Sequence, residues 1–71
     1  MTKIVYVVAT VDGVDIYEDY VFESLDAATQ QFYLLIKEEQ LYPKEDRFGV
    51  KMWKKMIRTT EKKDLVLAWE K

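Results

Sequence analysis

The chain has 71 residues, 49% of them hydrophobic and 34% charged, a globular balance that rules out a disordered or fibrous polypeptide and leaves room for one domain, residues 1–71. With no cysteine and no histidine it has no disulfide framework, no thiolate metal site and not the commonest zinc ligand, so neither a metal nor a cofactor is expected. A net charge of −2 argues against a dedicated nucleic-acid binder, and the marginal core of so short a chain makes self-association or partner binding the natural extra source of stability.

Residues 3–11 (KIVYVVATV) and 14–22 (VDIYEDYVF) are both rich in β-branched and aromatic side chains, with Asp12-Gly13 between them. Asp-Gly between two such runs predicts an antiparallel hairpin closed by a type I′ turn, which needs positive φ at both central residues. That turn sets Val11 opposite Val14, Ala9 opposite Ile16, Val7 opposite Glu18 and Val5 opposite Tyr20. The resulting face is almost wholly apolar and is expected under a helix. The other face then shows Ile4, Tyr6, Val8, Tyr17 and Val21, interrupted by Thr10, Asp15 and Asp19, which is unusually apolar for a surface meant to meet water.

The segment ESLDAATQQFYLLIKEEQ carries a capping hydroxyl at Ser24, a carboxylate in the first turn at Asp26, and Leu25, Ala28, Phe32, Leu35 and Ile36 at helical spacing. A helix over about residues 25–40 follows, roughly 24 Å long. It ends before Pro43, and LYPKEDRFG forms the main loop.

Residues 50–60 (VKMWKKMIRTT) and 65–70 (LVLAWE), joined through EKKD, read as a second hairpin. The order is ββαββ, an α+β fold. Neither hairpin alone can bury the helix, so the expected solution is one four-stranded antiparallel sheet with the helix packed on one face. The register of the second hairpin turns on its loop length. An even loop, the preferred version, groups Met52, Met56, Leu65, Leu67 and Trp69 against Trp53, Ile57, Val66 and Ala68. An odd loop groups Trp53 and Ile57 with Leu65, Leu67 and Trp69.

The longest apolar run, Ile4–Ala9, falls far short of the roughly 18 residues of a membrane span, and the N-terminus lacks a secretory leader pattern; a cytoplasmic location is expected, in a cell or an infected one. Catalysis finds no support. Ser24 is the only serine, its place before an apolar helical pattern explains it as a cap, and no histidine exists to activate it. Glu18 and Asp19 are neighbours on a strand, where successive side chains point to opposite faces. VDGVD lacks the acidic spacing and terminal glutamate of a calcium loop, and two glycines do not build a phosphate-cradling loop.

Charge is unevenly spread. Residues 1–36 hold six acids against Lys3, whereas residues 37–71 hold ten bases against seven acids. Lys51, Lys54, Lys55, Arg58, Lys62 and Lys63 interleave with Trp53, a pattern able to follow a phosphate backbone while a base stacks. The plainer reading is a lysine-rich strand that discourages edge-to-edge aggregation. Asp12, Asp15, Glu18, Asp19 and Glu23 could likewise imitate spaced phosphates, or simply be the wet positions of a hairpin. Tyr6, Val8, Tyr17 and Val21, with Asp15, Asp19 and Trp53 around them, form the expected protein-binding surface; the bland alternative is that a second copy covers them.

In its length, its lack of cysteine and histidine, and its hairpin, SLDAA helix and closing LVLAWE strand, the chain resembles small phage-encoded proteins. Some of these inhibit host enzymes or bacterial defence systems, anti-CRISPR proteins among them, by binding rather than by catalysis. The resemblance carries no site residues. It implies a counter-defence inhibitor or modulator acting on a host or bacterial protein. The alternatives are a nucleic-acid-binding accessory domain using residues 51–63, and a structural homodimer closed over its own sheet face.

Overall fold

Alternating β-branched and aromatic residues at the two ends of the chain, with one capped amphipathic segment between them, produce two hairpins around a helix. The structure, a computed structural model, describes residues 3–56 and 63–71. Strands β1 (Ile4–Asp12) and β2 (Asp15–Phe22) are followed by helix α1 (Leu25–Glu39), a short 3-10 turn (Lys44–Asp46), and strands β3 (Gly49–Met56) and β4 (Lys63–Trp69). All pairings are antiparallel and the sheet order is β2-β1-β3-β4, so β1 and β3 are interior. The α+β, ββαββ expectation is met, with the helix on one face of the sheet.

The helix begins where its cap predicts: the Ser24 Oγ accepts the Ala27 N–H at 3.3 Å. Ala28, Phe32, Leu35 and Ile36 form its buried stripe, whereas Leu25, at the first position, is exposed. They meet Val8, Val50 and Met52 of the sheet, with Tyr6, Phe22, Leu67 and Trp69 packed around this cluster. Val8, Leu35, Val50 and Met52 are completely enclosed, and burial of each such side chain contributes about 1.5–3 kcal/mol. At the far end of the helix Arg47 donates from Nε to the Tyr42 carbonyl (2.9 Å) and from Nη2 to the Gln40 carbonyl (3.4 Å), which satisfies acceptors the helix leaves open.

The first hairpin departs from the expected register. Its central turn residues are Gly13 and Val14, not Asp12 and Gly13, since Asp12 pairs with Asp15 and Val11 with Ile16. Only Gly13 has positive φ (62°), the signature of a type II′ turn. A bulge follows. Ala9 pairs with Asp19, Val8 with Tyr20 and Tyr6 with Phe22, so Tyr17 and Glu18 together oppose Thr10.

This exchanges the faces of β1 and of the turn end of β2, while Asp19, Tyr20, Val21 and Phe22 keep theirs. Tyr6 and Val8 lie under the helix, Asp15 and Tyr17 alternate onto the same side, and Val5, Val7, Ala9 and Val11 take the open side. The physical reason is burial. The expected register set Val7 beside Glu18 in the middle of the face beneath the helix; the observed one sets Val8 beside Tyr20 and Tyr6 beside Phe22 there and leaves Glu18 exposed at the bulge opposite Thr10.

The second hairpin combines both expected registers. Val50 pairs with Trp69 and Met52 with Leu67, as the even loop requires, but a shift after Met52 sets Trp53 opposite Leu65 and Lys55 opposite Lys63. Leu65 therefore leaves the Met52 side and joins Trp53. The expected continuation of the third strand through residues 57–60, with Ile57, lies outside the described residues. Among the described residues no helix is long and apolar enough to cross a membrane.

Candidate functional site

The helix covers one face of the sheet, and among the described residues no element covers the other. Register places one residue from each strand in a single row across that open face: Val21 of β2, Val7 of β1, Trp53 of β3 and Leu65 of β4. Val21 is 62% exposed and Leu65 55%, and Ile16 extends the apolar surface toward the turn. One neighbouring row holds Asp19, Ala9, Lys51 and Ala68; the other holds Val5, Lys55 and Lys63. Lys55 and Lys63 are thus directly opposite one another, two like charges at a cross-strand pair, an arrangement that destabilises a sheet. The Lys63 ammonium lies 5.2 Å from the centroid of the Trp53 ring, within cation–π range.

Of the protein-binding residues expected from the sequence, Asp19, Val21 and Trp53 share this face. The assignment of the others to it is corrected. Val8 is wholly buried in the core, Tyr6 packs against the core, and Asp15 and Tyr17 belong to the helix side. Of the basic residues, Lys51, Lys55 and Lys63 join Trp53, whereas Lys54, opposite Tyr6, lies on the helix side. Arg58 and Lys62 lie outside the described residues. Val7, Ile16 and Leu65 were missed because each changes face only once the true turn and the bulges are in place.

A second feature lies on the helix side. The C-terminal end of α1, the bulge of β2 and the loop after the helix enclose an open hollow of about 880 Å³. The bulge builds one wall: the Thr10 hydroxyl accepts the Glu18 N–H at 3.1 Å, fixing the extra residue so that Tyr17 and Glu18 both line the hollow. The loop builds another. Glu39 Oε1 accepts the Phe48 N–H at 2.8 Å, which ties residue 48 to the last turn of the helix and sets its ring 4.8 Å from that of Tyr17. Tyr42 completes the aromatic lining, and Glu18, Glu38, Glu39 and Asp46 supply carboxylates.

Among the described residues no basic side chain lines this hollow. Its negative potential shows at its border, where Tyr20 donates a hydrogen bond to Glu18 Oε2 at 3.2 Å. The charge of Glu18, that hydrogen bond and the more distant Glu38 hold the Tyr20 phenol above its usual pKa. Among the described residues no group of three or more acids converges as metal ligands would. Sequence reasoning missed the hollow because Glu39 and Phe48 meet only when the loop folds back, a contact that leaves no periodic signal.

No protein-family model matches the chain, and neither does a curated protein or a solved structure.

Proposed function

We propose that the protein is a non-catalytic inhibitor or modulator that binds another protein through its open sheet face. The observation that carries this reading is the uncovered apolar row Val21, Val7, Trp53 and Leu65, edged by the opposed pair Lys55 and Lys63. Apolar side chains with an aromatic at the centre and charges at the edge have the make-up of a protein-binding patch. The charges also choose the occupant. Lys51, Lys55 and Lys63 against Asp19 make the face basic, so a partner with carboxylates around an apolar centre fits it. A second copy presenting the same face brings lysines toward lysines, which disfavours the homodimer. The layout shared with small phage-encoded inhibitors is consistent with a host or bacterial protein as the target. Nucleic acid is the weaker reading, because Lys54 lies on the opposite side from Trp53 and Lys63 already occupies the vicinity of its ring.

The test compares the immobilised wild-type chain with Val21→Asp, Leu65→Asp and a control on the exposed helix surface, Gln30→Glu, each checked for an unchanged melting temperature. Quantitative mass spectrometry of proteins retained from the source cell extract should show the same species bound by wild type and control and depleted at least tenfold by either aspartate. Retention unchanged by both aspartates would contradict the proposal, as would nuclease-sensitive retention that falls steeply with salt.

A further inference from the structure

We propose that a second copy of this chain docks on the open sheet face, laying the outward side of its helix there, so that copies associate head to tail. This rests on the reading of the open face as a protein-binding surface and gives that surface an occupant present wherever the protein is. The helix has a second apolar side. Leu34 is 49% exposed and Leu41 84%, two helical turns apart on the side turned away from the buried Phe32 and Leu35. Leu41 continues the helical winding past Glu39, its N–H donating to the Glu38 carbonyl at 3.2 Å. Among the described residues no element lies over this line of leucines.

Charge selects the occupant. Lys37 and Glu38 flank the Leu34–Leu41 line on opposite sides, each offset from it by about 50° around the helix. The open face has the reciprocal order: Asp19 stands on β2 to one side of β1, and Lys51, Lys55 and Lys63 stand on β3 and β4 to the other. The apolar row Val21, Val7 and Trp53 crosses between them. Strands β2 and β3 are about 10 Å apart and a helix is about 10–12 Å across, so a helix lying along β1 sets one flank over Asp19 and the other over the lysines. One of its two directions along the strand brings Lys37 to Asp19 and Glu38 to Lys51 and Lys55. Among the described residues none of these five groups makes an ion pair within its own chain.

The two surfaces lie on opposite sides of the molecule, so the contact is heterologous, and every copy added leaves one surface of each kind free at the ends. Association is therefore open-ended and weakened by salt. It also competes with any other protein for the open face, which dilution of the chain sets free.

Sedimentation velocity of the full chain, from low micromolar to millimolar concentration and at low and high salt, tests the contact. At low salt the weight-average mass should rise with concentration past two copies, and high salt should return it toward one. Leu65→Asp spoils the sheet face and Leu41→Lys spoils the helix line, both at exposed side chains. With melting temperatures unchanged, each variant alone should associate at least about tenfold more weakly than wild type. Their equimolar mixture should form a dimer and stop there, because the intact helix line of one fits the intact face of the other and the remaining surfaces are spoiled. A wild-type chain that stays monomeric, a mass that levels at two copies, association indifferent to salt, or a mixture no heavier than its components would overturn the proposal. A monomeric wild type leaves the protein-binding reading of the face standing, since that reading fails only if the aspartate variants capture other proteins as wild type does.

Discussion

Thr10 shows how one side chain can shape a site it does not present to solvent. It is 4% exposed, and its hydroxyl accepts the N–H of Glu18, the residue that the β2 bulge adds to the strand. Valine has nearly the same shape but no acceptor. Thr10→Val should therefore leave that N–H without its partner and cost about 1–3 kcal/mol, measured by urea denaturation, with Thr10→Ser retaining much of the stability. A Thr10→Val protein as stable as the parent would show that water serves Glu18 equally well. Glu39 acts similarly on the loop, holding residue 48 to the helix end through one hydrogen bond.

The hairpin and the helix differ in how much of them could be read in advance. Gly13 has positive φ and open space around its α-carbon, so the cost of a side chain there is backbone strain rather than collision. Gly13→Val should lower stability by about 1–2 kcal/mol, because the first central position of a type II′ turn is open chiefly to glycine; equal melting curves for parent and valine variant would refute the turn. The existence of this turn was legible in Asp-Gly, as was the helix in Ser24 and the spacing of Ala28, Phe32, Leu35 and Ile36. The register was not. Strand β1 is apolar on both of its faces, with Val5 and Val7 on one and Tyr6 and Val8 on the other, so alternation gave no preference for which lies beneath the helix. Two bulges then each moved part of a strand to the opposite side, at Tyr17-Glu18 and at Val66. Trp53, Val21 and Asp19 were recognised as candidate surface residues, but Tyr6 and Val8 were assigned to the wrong face for this reason.

At the scale of the molecule, the uneven charge along the chain becomes an unevenness between faces. Lys51, Lys55 and Lys63 stand on the open side of the sheet, and Glu18, Glu38, Glu39 and Asp46 gather around the hollow on the other. The proposed function rests on the open side, where the fold tolerates two lysines directly opposed across β3 and β4. Such a pair is unfavourable in the free protein and becomes favourable when an acidic partner lies over it, a pattern in which binding and stability compete. Lys55→Glu separates the two because it turns the repulsive pair into an attractive one. The most direct measurement is therefore a paired one on this variant: its unfolding free energy, and its retention of the proteins captured by wild type. The account predicts a gain in stability of about 0.2–1 kcal/mol together with a loss of retention, opposite signs that instability cannot produce. A Lys55→Glu protein that is more stable and still retains those proteins as wild type does would contradict it.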